Sequence, residues 1–139
     1  MSIIVLLLVL LWASYHDIKT LTVPLYLWPI PIVFKMVWNC FHSIPFSIMK
    51  WSFLIGLCTF FVFFLASYWT NFGGADALLF TSIAFVMDQY VLYCILFSFL
   101  FSIPFILYLK ISGSKEEYPF VPFMFLGTVF TSACILIGL

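Results

Sequence analysis

An all-α fold, a polytopic membrane helical bundle of about six transmembrane helices, is the class this sequence predicts. Three observations carry that expectation. Hydrophobic residues occupy 66% of the 139 positions and charged residues only 7%, with a mean hydropathy of +1.27, far from the balance of a water-soluble domain. The apolar residues come in runs broken by short polar clusters, several of them shorter than the ~20 residues of a perpendicular crossing. Trp51 at one end of the clearest run and Tyr68-Trp69 at the other form aromatic edges of the kind that settle at the two membrane interfaces. No polar stretch is long enough to fold as a soluble domain and no internal repeat is visible, so residues 1–139 read as a single transmembrane domain.

The first run, residues 2–15, has no Lys or Arg before it and no small-residue cleavage site after it, so it reads as a retained span. It ends at His16-Asp17-Ile18-Lys19-Thr20, and the turn that follows closes at Val23-Pro24. A second span is expected over 24–38, kinked by Pro29 and Pro31, with Lys35 near enough to its end to snorkel. Residues 39–50, with His42 and Pro45, form a connection, and 51–69 is the third span. A short fourth span over 76–87 follows Gly73-Gly74, whose backbone freedom suits a tight entry into a helix. Asp88-Gln89 leaves room for a minimal turn, so spans four and five (90–109, with a bend at Pro104) should form an antiparallel hairpin. Residues 110–118 hold Lys115-Glu116-Glu117 and read as a solvated loop before the last span, which runs to about 139.

Counting crossings sorts the charges. Asp17 follows one crossing and Asp76 three, so they share a side, while Asp88 follows four and lies opposite. Lys19, Lys110 and Lys115 fall on the Asp17 side against Lys35 and Lys50 on the other, which places Asp17 and Asp76 at the cytoplasmic face. Net charge is zero with no basic cluster, so the sequence indicates the lipid bilayer as a partner and no nucleic acid. Cys40, Cys58, Cys94 and Cys134 are scattered without a C-x-x-C pair and read as small hydrophobes, with no metal site and no cofactor box in view.

Two aspartates at one face, one leaving the first helix and one entering the fourth, can act as a dyad if the bundle brings those ends together. Close carboxyl groups cannot both ionise easily, so such a pair holds one shared proton. The ionised member takes a proton from water, the water attacks a peptide carbonyl, and the protonated member donates to the carbonyl oxygen. Their own helices assign the anion to Asp76, near a helix N-terminus, and the proton to Asp17, near a C-terminus. The alternative is structural: helix ends at an interface are where carboxylates cost least, and Asp76 in a first turn also suits a plain cap region. His16 faces away from Asp17 on a helix, His42 reads as a surface histidine, and the serines show no nucleophile elbow.

Two motifs resemble those of the type IV prepilin peptidase family, which includes archaeal preflagellin peptidases and consists of membrane aspartyl proteases with a G-x-G-D motif. Gly73-Gly74-Ala75-Asp76 is similar to that motif, with Ala75 at the second glycine. Asp17-Ile18-Lys19-Thr20-Leu21-Thr22-Val23-Pro24 resembles the family's first aspartate motif, an Asp with a basic residue two positions on and a Val-Pro before the next helix. Pro119-Phe120-Val121-Pro122-Phe123, with Gly127 beyond it, is similar to the family's last segment. The resemblance implies that Asp17 and Asp76 are the catalytic pair, with Gly73, Gly74, Ala75, Lys19 and Pro24 supporting them. It implies as substrate a pilin-like or archaellin precursor, whose short basic leader is cut at the cytoplasmic face of the cell membrane, without a cofactor. Ala75, Leu78 and Leu25 depart from the family's usual Gly, Lys and Asn. The cysteine-bearing cytoplasmic segment of longer bacterial members is missing, so no N-methylation of the product is expected. A second class stays open beside the protease: a non-catalytic membrane scaffold or assembly subunit descended from such a peptidase.

Overall fold

Each apolar run is a helix in the computed structural model, which describes residues 1–69, 73–112 and 118–138. In chain order the elements are α1 (Ser2–Thr20), α2 (Pro29–Phe41), α3 (Phe46–Trp69), α4 (Gly74–Met87), a 3₁₀ turn (Asp88–Tyr90), α5 (Val91–Ser112) and α6 (Val121–Ile137). Lipid offers no partner for a backbone N–H or C=O, so segments this apolar satisfy those groups internally, as helices do. Three stretches are long and apolar enough to cross a membrane: Ser2–Thr20, Phe46–Trp69 and Gly74–Ser112, the last comprising α4, the 3₁₀ turn and α5. α2 and α6 are apolar but shorter, with 13 and 17 residues. Of the roughly six expected transmembrane helices, all six form as helices among the described residues, and only part of them reach spanning length.

α4 is the centre of the bundle. Nine of its 14 residues are buried, against four of 24 in α3, which leaves most of α3 facing outward. A helix apolar on every face is suited to such a central position. Phe80 on α4 stacks on Phe63 of α3 with ring centroids 4.4 Å apart and lies 6.1 Å from Phe120, the residue before α6. The hairpin expected of α4 and α5 forms: the rings of Phe80 and Phe99, 19 positions apart, approach to 6.4 Å, where a continuous helix would separate them by about 28 Å. Asp88 makes the reversal with φ 51° and ψ −122°, a positive-φ conformation outside the left-handed helical region and rarely adopted by residues with a side chain. α5 and α6 come closest at Gly127, where an added Cβ would lie 2.6 Å from the backbone nitrogen of Ser98 and 2.7 Å from the carbonyl of Cys94. Small residues at such crossings let helix backbones approach, and that contact substitutes for hydrophobic driving force between helices in lipid.

Three expectations are corrected by the second helix. It begins at Pro29 and not at Pro24, and it runs on to Phe41. Pro29 and Pro31 sit in its first turn, where a missing N–H costs nothing, so they start the helix and do not kink it. Lys35 is buried and does not snorkel. Its ammonium donates to the carbonyls of Phe85 (2.7 Å) and Val86 (3.4 Å), to Ser52 Oγ (3.1 Å) and to Asp88 Oδ2 (2.8 Å). The carbonyls at the end of α4 lack helical partners and carry the negative end of its dipole, so a cation from α2 satisfies both needs. The segment 113–117, read as a solvated loop with Lys115-Glu116-Glu117, lies outside the described residues.

Replacing Lys35 by Met is expected to lower the unfolding midpoint in detergent. The loss should be about 2 kcal/mol, below the ~3–5 of a wholly buried pair, because the Asp88 side chain is 39% exposed. Adding Asp88→Asn to that variant should recover part of it, as thermal unfolding of the single and double variants will show.

Candidate active site

The buried stripe of α1 runs Leu6, Val9, Leu10, Ala13, Ser14 and Asp17, the three-to-four spacing of one helix face. Asp17 therefore ends the interior face of α1 and is buried, 7% exposed, one turn before the helix stops at Leu21 in a left-handed conformation. Its Oδ2 accepts the backbone N–H of Val121 at 2.9 Å, and the N–H of Phe120 is also directed at it. Phe120 is the N-cap of α6 and offers no side-chain cap of its own, so a carboxylate from α1 supplies what the start of α6 lacks.

Asp76 stands in the first turn of α4, at the same end of the bundle. Its side chain folds back towards the amide of Gly73, the reach of a third helical residue to its own N-cap. Gly73 has φ −67°, which any residue can adopt, so the conformational reason given for this glycine does not hold. What it provides is space: a Cβ there would lie 3.2 Å from Asp76 Oδ2. At Gly74 an added Cβ would meet nothing within 4 Å. Asp17 and Asp76 lie within electrostatic reach of each other.

The two sequence motifs also meet through their apolar residues. Val23, Pro24, Leu25 and Trp28 of the α1–α2 connection pack on Ala75, Leu78 and Leu79 of α4, and Ser82 Oγ donates to the Trp28 carbonyl. Pro24 thus lies against the residues that flank Asp76 in the chain. Lys19 does not: it is exposed, with its ammonium 5.9 Å from the centre of the Tyr15 ring on the outside of α1. His16 lies beside Trp12 and Tyr15, and His42 stacks on Trp38 at 4.1 Å beyond the other end of α2, so neither joins the carboxyls. Tyr118, to which the sequence draws no attention, is half-buried just before α6 and packed on Phe105. Burial raises the pKa of its phenol and the charge of Asp76 raises it further, which places the hydroxyl in the field of that carboxylate. Only its position just before the Pro119-Phe120-Val121 re-entry could have drawn attention to it.

A cavity of about 570 Å³ lies at the opposite end, lined by residues that include Ile3, Trp51, Ser52, Asp88 and Ile135. It contains neither Asp17 nor Asp76. Among the described residues no three His, Cys, Asp or Glu side chains cluster to hold a metal ion.

The arrangement defines a class: a helical membrane protein with two acidic side chains within electrostatic reach at one end of the bundle. The type IV leader peptidase family model matches residues 4–107, and the chain belongs to that family. It is accordingly a leader peptidase-like protease, a hydrolase of the membrane. The match includes both aspartates and ends before α6. No curated protein and no solved structure gives a significant match.

Because Asp17 caps α6, its two replacements should separate structure from charge. Asp17→Asn keeps an accepting oxygen and is expected to stay near the wild-type unfolding midpoint, whereas Asp17→Ala should lose about 1 kcal/mol. Equal midpoints for the two variants in thermal unfolding would remove the capping role.

Proposed function

We propose that the protein is a membrane aspartyl endopeptidase in which Asp17 and Asp76 form the dyad that activates water. The observation that carries the reading is that two carboxyls 59 positions apart in the chain come within electrostatic reach of each other at one end of the bundle. An acid with a like charge close by, away from bulk water, suits sharing one proton with it. Among the described residues, Asp17 receives backbone N–H groups from Val121 and Phe120, and Asp76 receives that of Gly73. More donors stabilise a carboxylate better, so we assign the anion to Asp17 and the shared proton to Asp76. This reverses the assignment made from each residue's own helix, because the donors at Asp17 come from a third helix. The pair still titrates as a unit.

In the hydrolysis, water loses a proton to the Asp17 carboxylate as its oxygen bonds to the scissile carbonyl carbon. Asp76 protonates the carbonyl oxygen, giving a gem-diol. Collapse of the diol breaks the C–N bond, and the leaving nitrogen takes up the proton held by Asp17 as the diol returns its own proton to Asp76. The substrate class that suits this reading is a pilin-like or archaellin precursor, with an extended, basic leader beside the dyad and its apolar helix against the bundle. Lys19 and Lys110 lie at the aspartate end against Lys50 at the other, with Lys35 neutralised by Asp88, which supports a cytoplasmic site in the cell membrane.

Leu25, Ala75 and Leu78, the three departures from the family's usual residues, line one apolar contact. Their packing together makes them a matched set, and that favours a working site over a degenerate scaffold. Co-expression of a precursor carrying a basic leader with wild type, Asp17→Asn and Asp76→Asn tests the reading. Leader removal, followed by mass, is expected in wild type alone, and cleavage that persists in either variant takes that aspartate out of the mechanism.

A further inference from the structure

α3 packs on α4 and α1 on α6, but among the described residues α3 does not pack along α1 or α6. The gap this leaves is the cavity of about 570 Å³ at the end away from the carboxyl pair. Ile48, Trp51, Ser52 and Ile55, at the i, i+3, i+4 and i+7 positions of one face of α3, line it together with Ile3 of α1 and Ile135 of α6. Asp88, from the turn between α4 and α5, brings the one charge to the lining. Its Oδ2 holds Lys35, while its Oδ1 is buried and has no partner among the described residues. Ser52, 2% exposed, accepts from Lys35, and its own proton has no acceptor there. A buried carboxylate oxygen without a donor is costly, and the torsion that turns a carboxyl is soft in Asp, so a donor entering the cavity can meet it. Lys35 cannot serve a further group, because its three protons already face four acceptors.

We propose that this cavity binds one phospholipid with a primary-amine head, whose ammonium donates to the Asp88 carboxylate and whose acyl chain fills the gap between α3 and the α1–α6 pair. The site is independent of the dyad. Three features select the occupant. Most of the lining is aliphatic or aromatic, and α3, with four of its 24 residues buried, lies open to lipid. Trp51, 67% exposed, stands near the start of α3, and such rings settle at headgroup level. The lining offers a carboxylate and no Lys, so the amine enters while the phosphate stays in the water-facing layer, and the Ser52 proton suits an ester oxygen where the acyl chain begins. A protein helix fits less well: with a diameter of about 10–12 Å it would use up this volume in about one turn, too little to hold a spanning segment.

The experiment is native mass spectrometry of the purified full chain in detergent, titrated with phosphatidylethanolamine or with phosphatidylcholine of the same acyl chains. The first head carries N–H donors and the trimethylated second carries none. One hydrogen bond to a charged group corresponds to a preference of about tenfold or more for phosphatidylethanolamine. Asp88→Asn, which removes the charge, should weaken that preference. Ile48→Trp, at a position 56% exposed and therefore tolerant of a larger ring, fills the cavity and should reduce binding of both lipids. Equal affinity of the wild type for the two lipids overturns the proposal, as does retention of neither. A preference undiminished in Asp88→Asn, or lipid binding undiminished in Ile48→Trp, places the lipid elsewhere and overturns it too. Should Asp88→Asn fold poorly, the wild-type preference and Ile48→Trp decide the matter without it.

Discussion

One hydrogen bond ties the site to the fold: the N–H of Val121 on the carboxylate of Asp17. It joins the end of α1 to the start of α6, two elements whose residues are 104 positions apart in the chain. An uncapped helix start in an apolar surrounding is costly, since its first amides have neither helix nor water to bond to. A buried carboxylate is costly for the same reason. Each removes the other's penalty, so the position of the acid is fixed by a need of the backbone as well as by the chemistry it is proposed to perform.

The opposite end of the bundle solves the mirror problem. There the last carbonyls of α4 lack donors, and the Lys35 ammonium provides them while pairing with Asp88. The two devices act at opposite ends of the bundle and on different helices: a carboxylate where the first amides of α6 are exposed, an ammonium where the last carbonyls of α4 are. Both follow from the sign of the helix dipole and from the scarcity of water. With only five acidic and five basic residues in the chain, it is notable how many of the described ones sit at helix ends and not along helix faces.

Much of this was legible in the amino-acid pattern, for stated reasons. Composition forces a membrane bundle, polar punctuation marks where helices stop, and parity of crossings places Asp17 and Asp76 at one end. The α4–α5 hairpin follows from a two-residue polar break between apolar runs. The errors were equally physical. Pro29 and Pro31 were read as interrupting a helix because Pro24 was taken as its start, and the true start puts both in the first turn. Lys35 was sent to the surface because nothing in a linear pattern shows that a neighbouring helix ends within its reach. Gly73 was credited with backbone freedom, while its contribution is room for the carboxylate three residues on.

By itself the sequence determined the fold class, the order and approximate extent of the helices, and the family, because these depend on hydrophobic run length and on short local motifs. It could not say which face of α1 turns inward, since apolar residues surround that helix and any face could be buried. Tertiary structure alone decided that Asp17 points at the start of α6, that Tyr118 lies in the field of Asp76, and that Lys19 faces away. The reason is that hydrogen-bond donors and electric fields act through space, and in this bundle the groups that act on each carboxyl come largely from other helices.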